Sequence, residues 1–318
     1  RRDSRIMAIV MNDVILLESG TYEMQIMEFT IDGVLYGINV AKVTEIMISA
    51  PVKFMPHTHM AVEGIFKPRD AVITVINLPK YLGVEECEPK EKDLFIVTGF
   101  NKMTLAFRVH TVVGINRISW TEIQKPDKTI SGGDDGVATG IAQCGGDLVT
   151  ILDFEKIVAE IAPETSIQIS EIDEMGPRER NLQPIYIAED SILLSRMIRD
   201  ALTKAGYTHL SMYPNGRELW EHLLESKRHG TIDNDVSLIV TDIEMPQMDG
   251  HRLTKLVKDD AELKHIPVII FSSLISEEMR IKGEELGANE QLTKPEIGRL
   301  VSVMDGLLQE KAAQGETA

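Results

Sequence analysis

The sequence predicts two domains of different class, an all-β half followed by a doubly wound α/β half. Three observations carry this. Residues 22–162 read as many short alternating strands divided by tight turns. Residues 184–312 read as strands alternating with helical stretches, the pattern of a parallel sheet. Between them residues 163–183 are polar and poorly periodic, with Pro163, Gly176 and Pro177 as breakers, and read as a linker with room for a short helix. Residues 1–21 form a separate N-terminal segment and 313–318 a tail. The length of 318 residues suits two domains, and 43% apolar with 26% charged residues is enough to bury two cores.

Charge narrows the function classes. There are 33 Lys and Arg against 50 Asp and Glu, a net of −17. Residues 1–183 carry 18 basic and 27 acidic side chains and residues 184–318 carry 15 and 23, so neither half hides a basic module. Nucleic acid is disfavoured, because phosphate backbones are held mainly by Lys and Arg. Two distant cysteines, Cys87 and Cys144, make no disulfide framework or metal set and fit a reducing cytoplasm. The apolar start Ile6–Met11 is broken by Asn12 and Asp13, too short for a signal peptide. No run approaches the roughly 20 apolar residues of a membrane span. The expectation is a cytoplasmic protein that is not membrane-inserted.

In the β half, Met27–Ile31 alternates, Asp32-Gly33 is a strong two-residue hairpin turn, and Val34–Val40 alternates again. Ala71–Leu78 and Asp93–Thr98 are further strands, and Asn101-Lys102 turns into Met103–Val109. Val137–Cys144 and Leu148–Leu152 flank the turn Gly145-Gly146-Asp147. So many short strands predict a barrel or sandwich. His57-Thr58-His59 reads as a loop, because nothing nearby completes a metal ligand set. Gly132–Gly136 reads as a flexible loop rather than a phosphate cradle, because no helix start with Lys-Ser/Thr follows it. This half looks like a binding module.

In the α/β half, Pro184–Ala188 is a short buried strand, and Leu194, Ile198, Ala201 and Leu202 fall on one face of the next helix. Strands follow at His209–Met212, Val236–Thr241, Pro267–Ser272 and Glu290–Leu292, with helical stretches between them and a last helix from Ile297 to about Lys311. A doubly wound sheet places its site outside the carboxyl ends of the strands. Those ends carry Glu189-Asp190, Asp242, Ser272 and Lys294-Pro295. Three carboxylates packed together resist full ionisation unless a cation neutralises them, and oxygen ligands of this kind suit Mg2+. Asp242 ends the central strand and is the natural nucleophile toward a phosphoryl group. Mg2+, Lys294 and Ser272 would then meet the transferred oxygens.

These segments, Ile-Ala-Glu189-Asp190-Ser, Ile-Val-Thr-Asp242-Ile-Glu-Met-Pro-Gln-Met-Asp-Gly, Val-Ile-Ile-Phe-Ser272-Ser and Leu-Thr-Lys294-Pro, resemble a response-regulator receiver domain. The resemblance implies Asp242 as phosphoacceptor, with Glu189, Asp190, Asp242 and the backbone carbonyl of Glu244 as Mg2+ ligands. It further implies Lys294 as the phosphoryl contact and Ser272 as the switch hydroxyl. Three positions depart from the pattern: Glu189 stands for the commoner Asp, Gln291 for a switch aromatic, and Glu296 for an apolar residue.

The β half resembles a CheW-like coupling domain through Phe29–Ile46, Val62–Leu78 and Gly140–Asp153. The opening Ile15–Thr21 is similar to the N-terminal signature of the CheV family, which joins such a domain to a receiver. The resemblance implies two interlocked five-stranded β-barrels that bridge chemoreceptors (methyl-accepting chemotaxis proteins) to the histidine kinase CheA, with CheW a further partner. It implies recruitment to membrane receptor arrays and a receptor contact at Arg69, beside Asp70 where Gly is common. The expected function is an adaptor, not an enzyme beyond its own phosphorylation and dephosphorylation, whose activity is modulated by Mg2+-dependent phosphorylation of Asp242 for adaptation or damping of kinase output. The alternative is a phosphate sink that drains CheA without altered docking. A haloacid-dehalogenase-type phosphatase is disfavoured because Glu244 stands where that pattern needs its second Asp, and the residues after Lys294 read as a last helix and tail rather than a DNA-binding module.

Overall fold

The computed structural model describes residues 23–68, 71–84, 90–100, 103–119, 122–124, 136–163, 166–273 and 277–315. The N-terminal segment, Arg69, Asp70, Cys87, the Asn101-Lys102 turn and residues 132–135 lie outside them. The chain divides into two compact units, residues 1–162 and 163–318.

The first unit is all-β apart from short helical pieces. Its strands are β1 (Glu23–Ile31), β2 (Val34–Asn39), β3 (Val43–Ile48), β4 (Val62–Phe66), β5 (Ile73–Asn77), β6 (Leu94–Phe100), β7 (Met103–Val109), β8 (Thr111–Ser119), β9 (Ala138–Cys144) and β10 (Asp147–Leu152). They form two five-stranded sheets, ordered β8-β1-β2-β10-β9 and β3-β6-β7-β5-β4. The chain starts the first sheet, builds the second whole, then returns to finish the first. Pairing is antiparallel except for β10 with β2 and β5 with β7, parallel joins of a kind that a tight hairpin cannot make. At the β1–β2 hairpin Asp32 and Gly33 sit at φ 50° and 78°, the left-handed pair that matches strand twist.

Two helices close this unit, α1 (Leu78–Tyr81) and α2 (Phe154–Ile161). The Asp153 carboxylate accepts the Lys156 amide at 2.9 Å and caps α2, turning Phe154, Ile157 and Val158 inward. The resulting core draws on both sheets: Phe29, Ile38, Ile96 and Phe107 join Phe154. Phe107 meets Phe154 edge-on at 4.6 Å between centroids, geometry worth about 1 kcal/mol beyond area burial.

The second unit opens with α3 (Ser170–Glu174) and alternates β11 (Ile185–Ala188), α4 (Ile192–Lys204), β12 (Leu210–Tyr213), α5 (Gly216–His229), α6 (Ile232–Asp235), β13 (Leu238–Thr241), α7 (Gly250–Asp259), β14 (Val268–Ser272), α8 (Glu277–Glu285), β15 (Glu290–Thr293) and α9 (Ile297–Gly315). All five strands are parallel, in the order β12-β11-β13-β14-β15. Strand order reverses between β11 and β13, which opens a crevice at their carboxyl ends. The α4 face buries Leu194, Ile198, Ala201 and Leu202, as their spacing requires.

The stretch expected as a linker is different. Ile167 and Ile172 are buried in one cluster with residues of α4 and α9, Glu171 accepts the Gly298 amide at 2.9 Å, and Arg178 holds Asp305 and the Ala205 carbonyl. Residues 166–183 are therefore packed onto the α/β unit. Their polar composition hid this, because only Ile167 and Ile172 are fully buried there, with Ile169 and Met175 half-buried against the same cluster. Helix α9 also runs to Gly315, past the expected boundary at 312.

Candidate functional site

Glu189 and Asp190 follow β11, Asp242 follows β13, Ser272 ends β14 and Lys294 follows β15. Strand ends place them together because all five strands point the same way. Carboxylate oxygens of Glu189, Asp190 and Asp242 all lie within 4.8 Å of one another. The Lys294 ammonium stands 2.7 Å from Asp242 Oδ2 and 3.0 Å from Glu189 Oε2, and all three side chains are at most 2% exposed. A buried carboxylate pair is tolerable only with such a counter-charge. Asp190 is half-buried and forms the open side. The donor set is oxygen-only and clustered, which fits Mg2+.

Backbone groups orient the acids. Asp242 Oδ1 accepts the Ile243 amide at 2.6 Å, leaving Oδ2 toward Lys294. Glu189 Oε1 accepts the Ser191 amide at 3.1 Å. The extra methylene of Glu189 thus reaches both the following turn and Lys294. Ser272 is fully buried, and its carbonyl accepts the Lys294 amide at 3.2 Å, joining the two residues at the sheet edge. Glu244 is half-buried in the loop between β13 and α7. Arg69 lies outside the described residues.

Two neighbours, Thr241 and Gly250, were not singled out in the sequence, and Gln291 was singled out only as a departure. Thr241 Oγ1 donates to the Asp242 carbonyl at 2.9 Å. Gly250, at the start of α7, lies so close to the Asp242 carbonyl that a Cβ there would collide with it. Gln291 donates its side-chain amide to the Arg280 carbonyl of α8 at 2.7 Å and occupies the space beside Gly283. Gly250 was legible as part of a motif, but its reason is a long-range approach that no local pattern shows. Elsewhere, His57 and His59 lie in an exposed loop, and His59 Nδ1 accepts the Ala61 amide. Among the described residues the three acids above are the one cluster with metal-holding geometry.

Comparison with known proteins agrees with this division. Residues 25–162 match the CheW-like domain family and residues 185–305 the response regulator receiver domain family. The chain is thus a CheW-like domain joined to a receiver. Over most of its length it is similar to chemotaxis proteins of the CheV type. Chemotaxis protein CheV3 of Helicobacter pylori is 27% identical over 303 residues, spanning 91% of this chain and 96% of that protein. Chemotaxis protein CheV2 of the same organism is 27% identical over 283 residues, 84% of this chain and 87% of its own length. Chemotaxis protein CheW of Thermotoga maritima is 28% identical over 145 residues, covering 46% of this chain and 94% of that protein. No helix among the described residues is long and apolar enough to cross a membrane.

Proposed function

We propose that this protein is a chemotaxis adaptor whose CheW-like domain couples chemoreceptors to the histidine kinase CheA, and whose docking is modulated by phosphorylation of Asp242. The observation that carries this reading is the Lys294–Asp242 contact of 2.7 Å at strand ends shared with Glu189 and Asp190. That arrangement sits on a chain with a domain that resembles receptor–kinase couplers.

The chemistry follows from the geometry. Asp242 Oδ1 is held by the backbone, so Oδ2 is the attacking atom. It bonds to phosphorus as the phosphorus–nitrogen bond of a phosphohistidine breaks, and the leaving imidazole takes a proton from solvent. Lys294 passes from the carboxylate to a phosphoryl oxygen, and the Ser272 hydroxyl donates to another. Glu189, Asp190, Asp242 and the Glu244 carbonyl would hold Mg2+, which supplies charge neutralisation on the transferred oxygens. Hydrolysis by water returns inorganic phosphate and the free carboxylate. The phosphoryl group adds about two negative charges at neutral pH, enough to bias a packed two-state element. The CheW-like domain supports chemotaxis-array partners, and the family resemblance assigns the receptor contact to Arg69.

The test is intact mass after incubation with Mg2+ and acetyl phosphate, comparing the protein with Asp242→Asn, followed by binding to CheA and receptor fragments. One phosphate adduct absent from Asp242→Asn, with altered docking, is expected. Absence of any adduct, even from phosphorylated CheA, overturns the reading; an adduct with unchanged docking makes the protein a phosphate sink. Arg69→Glu is expected to weaken receptor binding while leaving the adduct intact.

A further inference from the structure

The segment 166–183 carries a set of contacts that neither domain's role explains. Its two fully buried apolar anchors, Ile167 and Ile172, are 2% and 3% exposed and share a cluster with Ile198 and Leu202 of α4 and Ile297, Leu300 and Val301 of α9, with Ile169 and Met175 half-buried against it. Around them lie polar ties. Glu171 Oε2 accepts the Gly298 amide at 2.9 Å. Arg178 bonds both Asp305 oxygens, at 2.7 and 2.6 Å, and the Ala205 carbonyl at 2.8 Å. Asp173 pairs with Lys204 at 2.6 Å, with both side chains largely exposed. In sequence, this strap is the stretch that joins the two units.

Where Glu171 lands is informative. Gly298 is the second residue of α9, so its amide is one of the orphan donors of the helix start, and a carboxylate there also meets the positive end of the dipole. A side chain at residue 298 would crowd Glu171, whose Oε2 stands 3.1 Å from a Cβ placed there. Helix α9 begins three residues after Lys294, and the turn between them is stiff. Pro295 fixes one dihedral angle, and the Glu296 amide donates to the Thr293 carbonyl at 2.8 Å. The ammonium that faces Asp242 and the amide that Glu171 caps thus lie at opposite ends of one short, braced turn.

We infer that the strap 166–183 reports the state of Asp242, with the Glu171–Gly298 hydrogen bond as the contact that senses it. The inference rests on the phosphoacceptor reading of Asp242. When Lys294 turns from the carboxylates to a phosphoryl oxygen, it carries the braced turn and the first turn of α9 with it. At 2.9 Å the Glu171–Gly298 bond is at its ordinary optimum, so displacement in any direction weakens it. Residues 166–175 rest on four apolar side chains, Ile167, Ile169, Ile172 and Met175, and one exposed ion pair, a small anchorage beside the five-stranded sheet. This part therefore opens before the fold does, while Arg178 and Asn181 keep the rest tied to Ala205, Gly206 and Thr208. Phosphorylation loosens the strap from α4 and α9. By reciprocity, loosening the strap favours the phosphorylated state by the same factor.

The experiment is hydrogen exchange read by mass spectrometry on the full chain, with and without Mg2+ and beryllofluoride, an aspartyl-phosphate mimic. Amides of residues 166–175 are expected to exchange faster by about 5- to 150-fold, the ordinary range of coupling between sites. A strap whose exchange is unchanged while the β13–α7 loop becomes protected overturns the inference and leaves the phosphoacceptor reading standing. No change at that loop, with no acetyl-phosphate adduct by intact mass, overturns both. A second measurement uses Glu171→Gln, which keeps the shape and weakens the acceptor. Folded by circular dichroism, it is expected to reach a higher adduct fraction at limiting acetyl phosphate; an equal or lower fraction overturns the inference.

Discussion

Replacing Gly250 with alanine is the most direct probe of how the fold holds Asp242. A Cβ at residue 250 would stand 2.8 Å from the Asp242 carbonyl carbon and 3.0 Å from Thr241 Oγ1, and nearer still to the Asp242 carbonyl oxygen. Nonbonded carbons settle at about 3.5–4.0 Å, so the strand end and the start of α7 must part by about 1 Å. The atoms in the way are mostly backbone, held by the Gly250 amide on the Ile243 carbonyl at 2.9 Å and by Thr254 Oγ1 on the Gly250 carbonyl at 2.7 Å. No side-chain rotation relieves them. Overpacking of this kind costs about 3 kcal/mol, at the upper end of its usual range. The same 1 Å displaces the nucleophile, and misplacement on that scale slows a positioned reaction about 100-fold. The stability arm is urea unfolding followed by Trp220 fluorescence in a Trp120→Phe background; the activity arm is the time course of the phosphate adduct by intact mass. Gly306, in the interior of α9 with nothing within 4 Å of its would-be Cβ, is the control. Gly306→Ala is expected to stabilise by about 0.5–1 kcal/mol and leave phosphorylation unchanged. A Gly250→Ala protein as stable and as fast as the parent would refute the reasoning.

Other perturbations test other parts of the argument. Lys294→Met leaves Glu189 and Asp242 buried without their ammonium and is expected to lower stability by about 3–5 kcal/mol, an effect that Mg2+ reduces; equal loss with and without Mg2+ in urea unfolding would count against the site. Arg108, 3% exposed on β7, holds Glu63 of β4 through Nε at 2.6 Å and approaches Asp93 at 3.5 Å. Arg108→Leu is therefore expected to cost the first unit about 3–5 kcal/mol, with partial recovery in the Arg108→Leu/Glu63→Leu pair, checked as a double-mutant cycle. Burial pushes the His251 imidazole down to about 4, with the nearby Lys282 adding to the shift while Asp249 and the Met279 backbone oppose it. The unfolded chain then binds a proton that the folded chain refuses. Stability should fall as pH drops through about 6.5 and level off near pH 4, a total of about 3 kcal/mol. His251→Leu should flatten that slope in urea titrations across the window, and an unchanged slope would assign it to other groups.

The sequence by itself determined the pieces whose information is local. The Asp32-Gly33 turn needs two left-handed residues and has them, and the α4 face follows from the spacing of Leu194, Ile198, Ala201 and Leu202. The four motifs at the strand ends were legible because a parallel sheet turns position in sequence into position in space. Strand β8 was not foreseen, since its alternation is weak around Gly114 and it is specified by pairing along the whole of β1. Only the tertiary structure decided the parallel joins of β10 with β2 and β5 with β7, the ion pair of Arg108 with Glu63, and the clearance at Gly250. It also turned residues 163–183 from an expected linker into a segment whose described part is docked. The reason is common to all of these. Each depends on a contact between residues distant in the chain, and such contacts are selected by which surfaces remain to be buried once the local elements have formed.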